Sequence, residues 1–340
     1  LGHHHDAGAS RRGGDHAIRA SPPHRHLGAV YLRSVLAALV GVSVFATGCS
    51  APGKPAPVSA EAGGLFPVEV AAANGTVEIP RRPARIVSLS PTATEILFAI
   101  GAGPQVVAVD GESSYPAEAP RTGLSGYTPN VEAIAGYRPD LLVFSTEPGE
   151  LEDAMARTGV PAILQPAAAG LDDTYRQIRE LGAASGRSGQ AAELVNSMKA
   201  EIKTISKSVP RFPQPPSYYH ELDQSYFTAT SQTFLGEVYR LLGLTNIADP
   251  ADSSASGYLQ LSAEFIVRND PDIIFLADAT CCGQSAATLA ARPGWDQIRA
   301  VREGTVVALD GDVASRWGPR TVDLVRSVAA ALRSFEPRLR

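Results

Sequence analysis

The sequence predicts an α/β fold built from two parallel-sheet α/β lobes with one long helical segment between them. Short apolar runs alternate with helical patterns in two separate series, which is the signature of parallel strands covered by helices. A mostly helical pattern over residues 171–209 separates the two series. One pattern also occurs once in each series, which indicates two lobes of related design. A chain of 340 residues with 44% hydrophobic and 19% charged residues is long enough for two cores.

The first series begins with alternating residues around Asn74-Gly75, a dipeptide that favours a hairpin turn. Pro91 marks the start of a helix, and Asn130 is a suitable N-terminal cap for another. Strands are predicted at residues 84–90, 105–110, 139–145 and 161–166. Helices are predicted at residues 91–103, 130–137 and 148–159. These elements form a predicted N-terminal lobe over residues 66–170.

The helical segment that follows has a break signal at residues 186–189 and ends at the proline-rich residues 210–216. Strands of the second series are predicted at residues 217–223, 271–278 and 305–311. Helices of the second series are predicted at residues 231–243, 261–269 and 318–335. We therefore expect a bridging segment over residues 171–210 and a C-terminal lobe over residues 211–340.

The N-terminal residues have the character of a targeting region. Residues 1–30 are rich in Gly, Arg and His without periodicity, so we expect them to be disordered or to be translated sequence upstream of the true start. The histidines at positions 3–5 either bind a metal or remain from a tag. Residues 31–48 contain an uncharged run that is short for a bilayer span but suits a signal peptide.

A single cysteine, Cys49, follows this apolar run. The preceding Ala46-Thr47-Gly48 resembles the lipobox of bacterial lipoproteins, although Ala46 stands where Leu is more usual. The resemblance implies that Cys49 becomes the lipidated N-terminus, with residues 49–65 as the lipidated cysteine and a flexible linker. The alternative is a membrane anchor whose cysteine is incidental.

Charge and histidine content exclude several function classes. Outside residues 1–48 the chain has 25 basic and 33 acidic residues, a balance of −8, which argues against a nucleic-acid partner. His220 is the only histidine beyond residue 26, which disfavours capture of a bare Zn²⁺ or Mn²⁺ ion. We expect no cofactor; any metal arrives already chelated. An exported hydrolase is the main alternative, although G-x-S-x-G, H-E-x-x-H and P-loop patterns are absent from the sequence.

The repeated pattern is a glutamate followed seven residues later by Pro-Asp and a buried strand. Glu132 precedes Pro139-Asp140, and Glu264 precedes Pro271-Asp272. Each glutamate lies near the first turn of a short predicted helix, where the helix dipole favours negative charge. The simplest interpretation of the two glutamates is therefore a pair of helix-start charges.

The repeat is part of a wider resemblance to ABC-importer substrate-binding lipoproteins for cobalamin and ferric siderophores, the class III periplasmic binding proteins. The match extends over about residues 84–335. It is carried by the segments RIVSLSPTATEILFAIG (85–101), YPAEA (115–119), NVEAIAGYRPDLLV (130–143), LSAEFIVRNDPDIIF (261–275) and ASRWGPRTVDLV (314–325).

The resemblance implies a monomeric transport protein and not an enzyme. It implies that a single long helix bridges the lobes, that a ligand lies in the cleft between them, and that hinge motion is small. The protein is then expected outside the cytoplasm, anchored by lipid to the outer face of the cytoplasmic membrane. Its partners would be an ABC permease dimer and its ATPase, with Glu132 and Glu264 docking onto permease arginines. A third alternative is an adhesion or signalling module that keeps the binding fold without transport.

The ligand site is expected beyond the carboxyl ends of the parallel strands. Candidate contact residues in these loops are Ser90, Thr92, Tyr115, Tyr127, Tyr226, Phe227, Tyr258, Cys281, Cys282, Arg316 and Trp317. The set is rich in aromatic residues, which suits a bulky, partly apolar ligand such as a corrinoid. A ferric siderophore is the close alternative, and haem is another. An anionic siderophore should require several cations, for which Arg121, Arg316 and Arg320 are candidates.

The adjacent Cys281 and Cys282 remain as an even pair once Cys49 carries lipid. In an oxidising compartment they are candidates for a vicinal disulfide that forms an apolar platform at the cleft. Two free, buried thiols are the alternative.

Overall fold

The structure is a computed structural model that describes residues 66–146 and 149–335. The predictions for residues 1–65, including the signal peptide, the linker and Cys49, lie outside the described residues. The described residues belong to one compact unit, Ser59–Arg340.

The N-terminal lobe is a four-stranded parallel sheet with an antiparallel hairpin at its start. The hairpin strands are β1 Val68–Ala72 and β2 Gly75–Ile79, joined at Asn74 as predicted. The other elements are β3 Ile86–Leu89, α1 Pro91–Ala99, β4 Val106–Val109, α2 Val131–Gly136, β5 Leu141–Phe144, α3 Leu151–Thr158 and β6 Ala162–Leu164. The parallel sheet has the order β4-β3-β5-β6.

The bridging segment consists of two helices, α4 Leu171–Ser185 and α5 Ser188–Ser208. The predicted break is present, because Gly186 ends α4 with a φ of 72° that glycine adopts readily. A Cβ on Gly182 would lie 2.3 Å from the Cβ of Ala191, so these helices pack at very close range. The 21-residue helix α5 is the long helix between the lobes.

The C-terminal lobe contains a second four-stranded parallel sheet. The six strands of this lobe are β7 Ser217–Glu221, β8 Phe227–Ala229, β9 Thr245–Asn246, β10 Tyr258–Gln260, β11 Ile273–Leu276 and β12 Val306–Ala308. Its helices are α6 Phe234–Leu241, α7 Ala263–Asn269, α8 Ala279–Cys282, α9 Ala286–Ala290, α10 Arg299–Arg302, α11 Gly311–Ser315 and α12 Thr321–Ser334. The parallel sheet has the order β12-β11-β7-β9, and β8 and β10 form a separate antiparallel ribbon.

The two parallel sheets share one topology. In each, the first strand is internal, the second lies on one side of it, and the third and fourth lie on the other side. The point where the strand order reverses is between β3 and β5 in one lobe and between β7 and β11 in the other. Ligands of open α/β sheets bind at such points, beyond the carboxyl ends of the strands.

Some sequence-based predictions were wrong at the level of short elements. Phe227 and Tyr258 were expected in loops, but they belong to β8 and β10, whose three-residue length gives too few residues for a periodic pattern. The final helix begins at Thr321 and not at residue 318. The one-turn helices α8 to α11 were not predicted, for the same reason of length.

The largest cluster of buried apolar side chains extends through both lobes and the bridging helices, from Val70 to Phe335. Each lobe has a second, smaller cluster on the other face of its sheet. None of the helices within residues 66–146 and 149–335 is long and apolar enough to cross a membrane.

Candidate ligand-binding cleft

A buried ion-pair cluster joins the two lobes. Glu95 on α1 has a fully buried side chain and accepts hydrogen bonds from Arg316 at 2.8 Å and from Arg320 at 2.5 Å and 2.9 Å. The hydrogen bond to Glu95 raises the pKa of the Arg320 guanidinium. We call this cluster of Glu95, Arg316 and Arg320 the inter-lobe seam. Because one carboxylate serves two arginines, both predicted cations are already partly neutralised.

Arg316 has further partners on both sides of the seam. It donates to the carbonyl oxygen of Glu112 at 3.0 Å and to the Ser114 hydroxyl at 3.1 Å, and it pairs with Asp312 at 3.0 Å. Ser114 in turn donates to Asp312 at 2.9 Å. Arg316 is 7% exposed. It therefore acts in this structure as a connection between lobes.

Trp317 and Thr92, two other predicted ligand residues, lie where the chain before α12 contacts α4 and α1. The Trp317 indole N–H donates to Gln177 on α4 at 2.9 Å. A Cβ on Gly318 would lie 3.5 Å from the methyl carbon of Thr92, so the chain after Trp317 passes close to the start of α1. Ser90 is buried and caps α1, accepting from the amide of Ala93 at 3.3 Å. These three predicted ligand residues therefore also have packing or capping contacts.

Three predicted tyrosines are presented to solvent. Four large apolar side chains are exposed within the described residues: Tyr115, Tyr127, Tyr258 and Leu241. The Arg320 guanidinium lies 4.3 Å from the centre of the Tyr115 ring, which places this ring beside the seam.

The loop before Tyr127 lies at the carboxyl edge of the N-terminal sheet. A Cβ on Gly126 would lie 2.6 Å from the carbonyl oxygen of Leu89, the last residue of β3, so only glycine fits there. The Thr146 hydroxyl, just past β5, donates to the Gly126 carbonyl at 2.8 Å. Tyr127 itself is 79% exposed.

The aromatic residues of the C-terminal lobe form two stacks. Phe227 and Tyr258 stack across the β8–β10 ribbon with ring centres 6.4 Å apart. Tyr226 stacks on the buried Trp295 at 5.6 Å and has a φ of 67°. Arg292 lies over both of these rings, 5.4 Å from Tyr226 and 4.5 Å from Trp295. Tyr226 is therefore held in a packed stack, whereas Tyr258 keeps an exposed side.

A buried acidic pair lies at the reversal point of the C-terminal sheet. Glu221, the last residue of β7, is fully buried and receives two hydrogen bonds of 2.6 Å from Arg292. Asp278 follows β11, and both of its carboxylate oxygens are buried without a hydrogen-bond partner. Burial, followed by the charge of Glu221, raises the pKa of Asp278 to about 6. Neither acid is among the residues predicted from the sequence to form the site.

Cys281 and Cys282 are joined in a disulfide at the end of α8. Both residues are exposed, so the alternative of two free, buried thiols was wrong. Gln224, in the loop after β7, donates to the Cys282 carbonyl oxygen at 3.5 Å. The disulfide therefore lies beside the loops at the carboxyl edge of the C-terminal sheet.

The two repeated glutamates occupy equivalent positions. Glu132 and Glu264 are the second residues of α2 and α7, the helices that precede the third strand of each sheet. Both are exposed, and neither forms an ion pair with a residue that the structure describes. Their position in a first helical turn agrees with the helix-start interpretation, and their exposure leaves the carboxylates accessible to a partner.

His220 does not lie in a cluster of side chains that could hold a bare metal ion. His220 is fully buried, bonds to the Tyr239 hydroxyl through Nδ1 at 2.7 Å, and has a pKa lowered by burial to about 4. Within the described ranges, no group of three or more His, Cys, Asp or Glu residues is placed to hold a metal ion.

Comparison with known proteins gives the family. The sequence profile of the periplasmic binding protein family matches residues 86–313. This chain belongs to the periplasmic binding protein family. Membership makes it a non-enzymatic binding component that works outside the cytoplasm. It also explains the two similar lobes, since the profile begins at β3 and continues into the C-terminal lobe.

Two curated relatives cover most of the chain. An uncharacterised ABC transporter substrate-binding lipoprotein of Bacillus subtilis is 30% identical over 309 residues, which is 88% of this chain and 96% of the relative. A cobalamin-binding protein of Halobacterium salinarum is 30% identical over 312 residues, which is 87% of this chain and 83% of the relative.

Solved structures match the same part of this periplasmic binding protein. The periplasmic vitamin B12-binding protein of Vibrio cholerae aligns with a TM-score of 0.61 and 28% identity, covering 76% of this chain and 99% of that one. The periplasmic haem-binding protein of Roseiflexus sp. RS-1 aligns with a TM-score of 0.65 and 25% identity, covering 74% and 98%. Because nearly the whole of each neighbour aligns, the two-lobed part of this chain has the extent of an independently folding protein.

Proposed function

We propose that the protein is the substrate-binding lipoprotein of an ABC importer and that it captures a bulky metal chelate, with cobalamin favoured over a ferric siderophore or haem. The transport role is supported by the Bacillus subtilis relative, which is named as an ABC transporter substrate-binding lipoprotein. The corrinoid ligand is supported by the cobalamin- and vitamin B12-binding proteins that share the fold and up to 30% of the sequence.

The observation that favours a corrinoid is that the arginines of the seam already have a carboxylate partner. Arg320 lies over the ring of the exposed Tyr115, Arg316 bonds to the neighbouring Ser114, and both arginines are bonded to Glu95. Arg121, the third candidate cation, donates to the Gly111 carbonyl oxygen at 2.7 Å. A ferric siderophore or the propionates of haem would have to compete with Glu95 for these guanidinium groups. A corrinoid with amide side chains needs hydrogen bonds and apolar contact, which exposed tyrosines supply.

The ligand is tested by calorimetric titration of residues 59–340 with cyanocobalamin, haem and several ferric siderophores. We expect cyanocobalamin to bind most tightly, and we expect Tyr127→Ala and Tyr258→Ala to weaken it by about tenfold each. The Leu241→Ala variant is the control matched to Tyr258, since Leu241 is 43% exposed against 45% for Tyr258 and lines a groove that contains neither tyrosine. Tight binding of a siderophore or haem, with no heat from cyanocobalamin, would reverse the ranking.

Docking to the permease is assigned to Glu132 and Glu264. Exposed charges on a protein surface steer association and fix orientation more than they add affinity. The double variant Glu132→Lys and Glu264→Lys should abolish uptake in cells while leaving ligand affinity unchanged. Unchanged uptake would refute the assignment. It would also favour the alternative of an adhesion or signalling module. The absence of permease and ATPase genes beside the gene for this protein would support the same alternative.

Lipid attachment is assigned to Cys49. Labelled palmitate should be incorporated into the full chain and not into the Cys49→Ala variant, which should appear in the medium. Membrane attachment of the unlabelled variant would favour an uncleaved apolar anchor instead.

A further inference from the structure

A groove that includes none of the predicted ligand residues lies beside the C-terminal half of α5. It has a volume of about 700 Å³. Its lining includes the apolar or aromatic residues Leu171, Tyr175, Ile202, Val209, Phe212 and Leu242. Leu241 at its edge is 43% exposed, although it is a large apolar side chain. We call this surface the α5 groove.

Four cations border the α5 groove: Lys199, Lys203, Lys207 and Arg211. The three lysines are spaced by four residues on α5, so they project from one face with about 6 Å of helix rise between neighbours. All four residues are exposed, and none forms a salt bridge with a described residue. Of the described residues that line the groove, none is acidic. The acids that act on Tyr175 are Asp172 and Glu237, and Glu237 accepts from the Leu171 amide at 2.8 Å.

Three of the four cations that border the α5 groove are lysines, a residue that is rare in this chain. The chain has 30 basic residues, of which only four are lysine: Lys54 and the three on α5. Everywhere else in the described part of the chain, positive charge is supplied by arginine. Arginine suits fixed, bidentate contacts with a single carboxylate or phosphate, whereas lysine is a mobile point charge on a flexible stem. A row of lysines therefore suits a diffuse anionic surface better than one precisely placed anion.

We propose that the α5 groove is a contact site for an anionic phospholipid surface. Lysines around an apolar floor are the arrangement by which proteins lie on such membranes: the ammonium groups meet the headgroup phosphates, and exposed apolar side chains enter the interface. The contact is independent of any lipid on Cys49 and of the ligand in the cleft. It lets a substrate-binding protein remain at a membrane surface without its permease.

Vesicle flotation of residues 59–340 tests the proposal, because this fragment lacks the apolar N-terminal segment. Phosphatidylcholine vesicles with about 30% phosphatidylglycerol should bind the fragment, pure phosphatidylcholine should not, and about 0.5 M NaCl should release it. The triple variant Lys199→Gln, Lys203→Gln and Lys207→Gln should lose about 100-fold in affinity. The control is Arg157→Gln, Arg179→Gln and Arg302→Gln, which removes the same charge from exposed positions outside the groove.

The depth of contact is tested with Leu241→Trp, whose emission should shift to the blue on addition of the anionic vesicles. Equal loss of binding in the two triple variants, or no binding by the wild-type fragment, would overturn the proposal. Binding to polyglutamate but not to vesicles would also overturn it and indicate an acidic peptide instead. Circular dichroism of each variant verifies that the fold is retained.

Discussion

Glu95 shows how a single residue can connect two lobes. It is the only acid in the nine-residue helix α1, whose other described side chains are apolar or small, and this isolation is a sequence signal for a buried ion pair. Its partners could not be predicted from the sequence, because Arg316 and Arg320 lie more than 220 positions away and approach it only when the lobes meet. Arg316, which is also a predicted ligand residue, is a member of the seam through this contact.

Replacing Glu95 by Gln should destabilise the protein strongly. The substitution leaves two buried or half-buried guanidinium groups without a carboxylate, and breaking a buried ion pair in this way costs about 3 to 5 kcal/mol. Urea denaturation measures the change in the free energy of unfolding. The Asp312→Asn variant is the control: its side chain is 50% exposed, so the loss should stay below about 1 kcal/mol. Equal effects would show that the seam is not buried in solution.

Asp278 should make stability depend on pH. Its pKa is about 6 in the folded protein, against 3.8 for the ordinary group, so the folded state binds the proton more tightly than the unfolded state. The free energy of unfolding should therefore fall as pH rises from about 4 to about 6, by about 3 kcal/mol at most. Asp278→Asn should remove this part of the slope and stabilise the protein at pH 7. A variant with the same slope as the wild type would contradict the assignment.

At the scale of elements, the repeated Pro-Asp has a structural role. Asp140 accepts from the amides of Ala84 and Arg85 at 3.0 Å and 2.8 Å, just before β3. Asp272 accepts from the amide and hydroxyl of Ser217, both at 2.9 Å, at the start of β7. In both lobes the aspartate before the third strand thus holds the start of the first strand. The repeat therefore combines a structural aspartate with an exposed glutamate.

Asp140→Ala should test this division of roles. The substitution removes the acceptor of two backbone amides, which should lower the free energy of unfolding by about 1 to 3 kcal/mol. Glu132→Ala, in the same repeat unit, should change it by less than about 0.5 kcal/mol, because that side chain has no described partner. Chemical denaturation of the two variants makes the comparison. A larger cost for Glu132→Ala would mean that the glutamate is structural as well.

The sequence was most informative about elements that are long or strongly apolar. Strands such as β5 and β11, four consecutive buried residues each, were predicted, as was the interruption between α4 and α5. The two-residue strand β9 was not, since so short a run has no period and forms only by pairing with β7. Tyr115 and Tyr127 could be singled out because they lie in loops after predicted strands, and both are exposed. The proximity of Asp278 to Glu221 could not be predicted, because it depends on the register of β7 against β11.

At the scale of the whole molecule, the lobes are held at several points. The bridging helix α5 packs on α4 and on α12, the seam crosses between α1 and the chain before α12, and Trp317 donates to Gln177 on α4. The largest apolar cluster also extends through both lobes. These contacts restrict the relative motion of the lobes.

Ligand binding should therefore leave the overall dimensions unchanged. We expect the radius of gyration of residues 59–340, measured by small-angle X-ray scattering, to be the same within error with and without cyanocobalamin. The Glu95→Gln variant should have a larger radius in the unliganded state, since it lacks the seam. A clear decrease in the wild-type radius of gyration on ligand addition would show that the lobes close around the ligand, as lobes joined by a flexible hinge do.

The confinement of lysine to one face has a practical consequence for measurement. Amine-reactive dyes and sensor-chip chemistries couple to primary amines, and in residues 59–340 those are the N-terminus and the three lysines of α5. Conjugation should therefore attach the protein mainly by the α5 groove, giving an immobilised layer of nearly uniform orientation in which the tyrosines at the strand ends remain unmodified and free to meet their ligand.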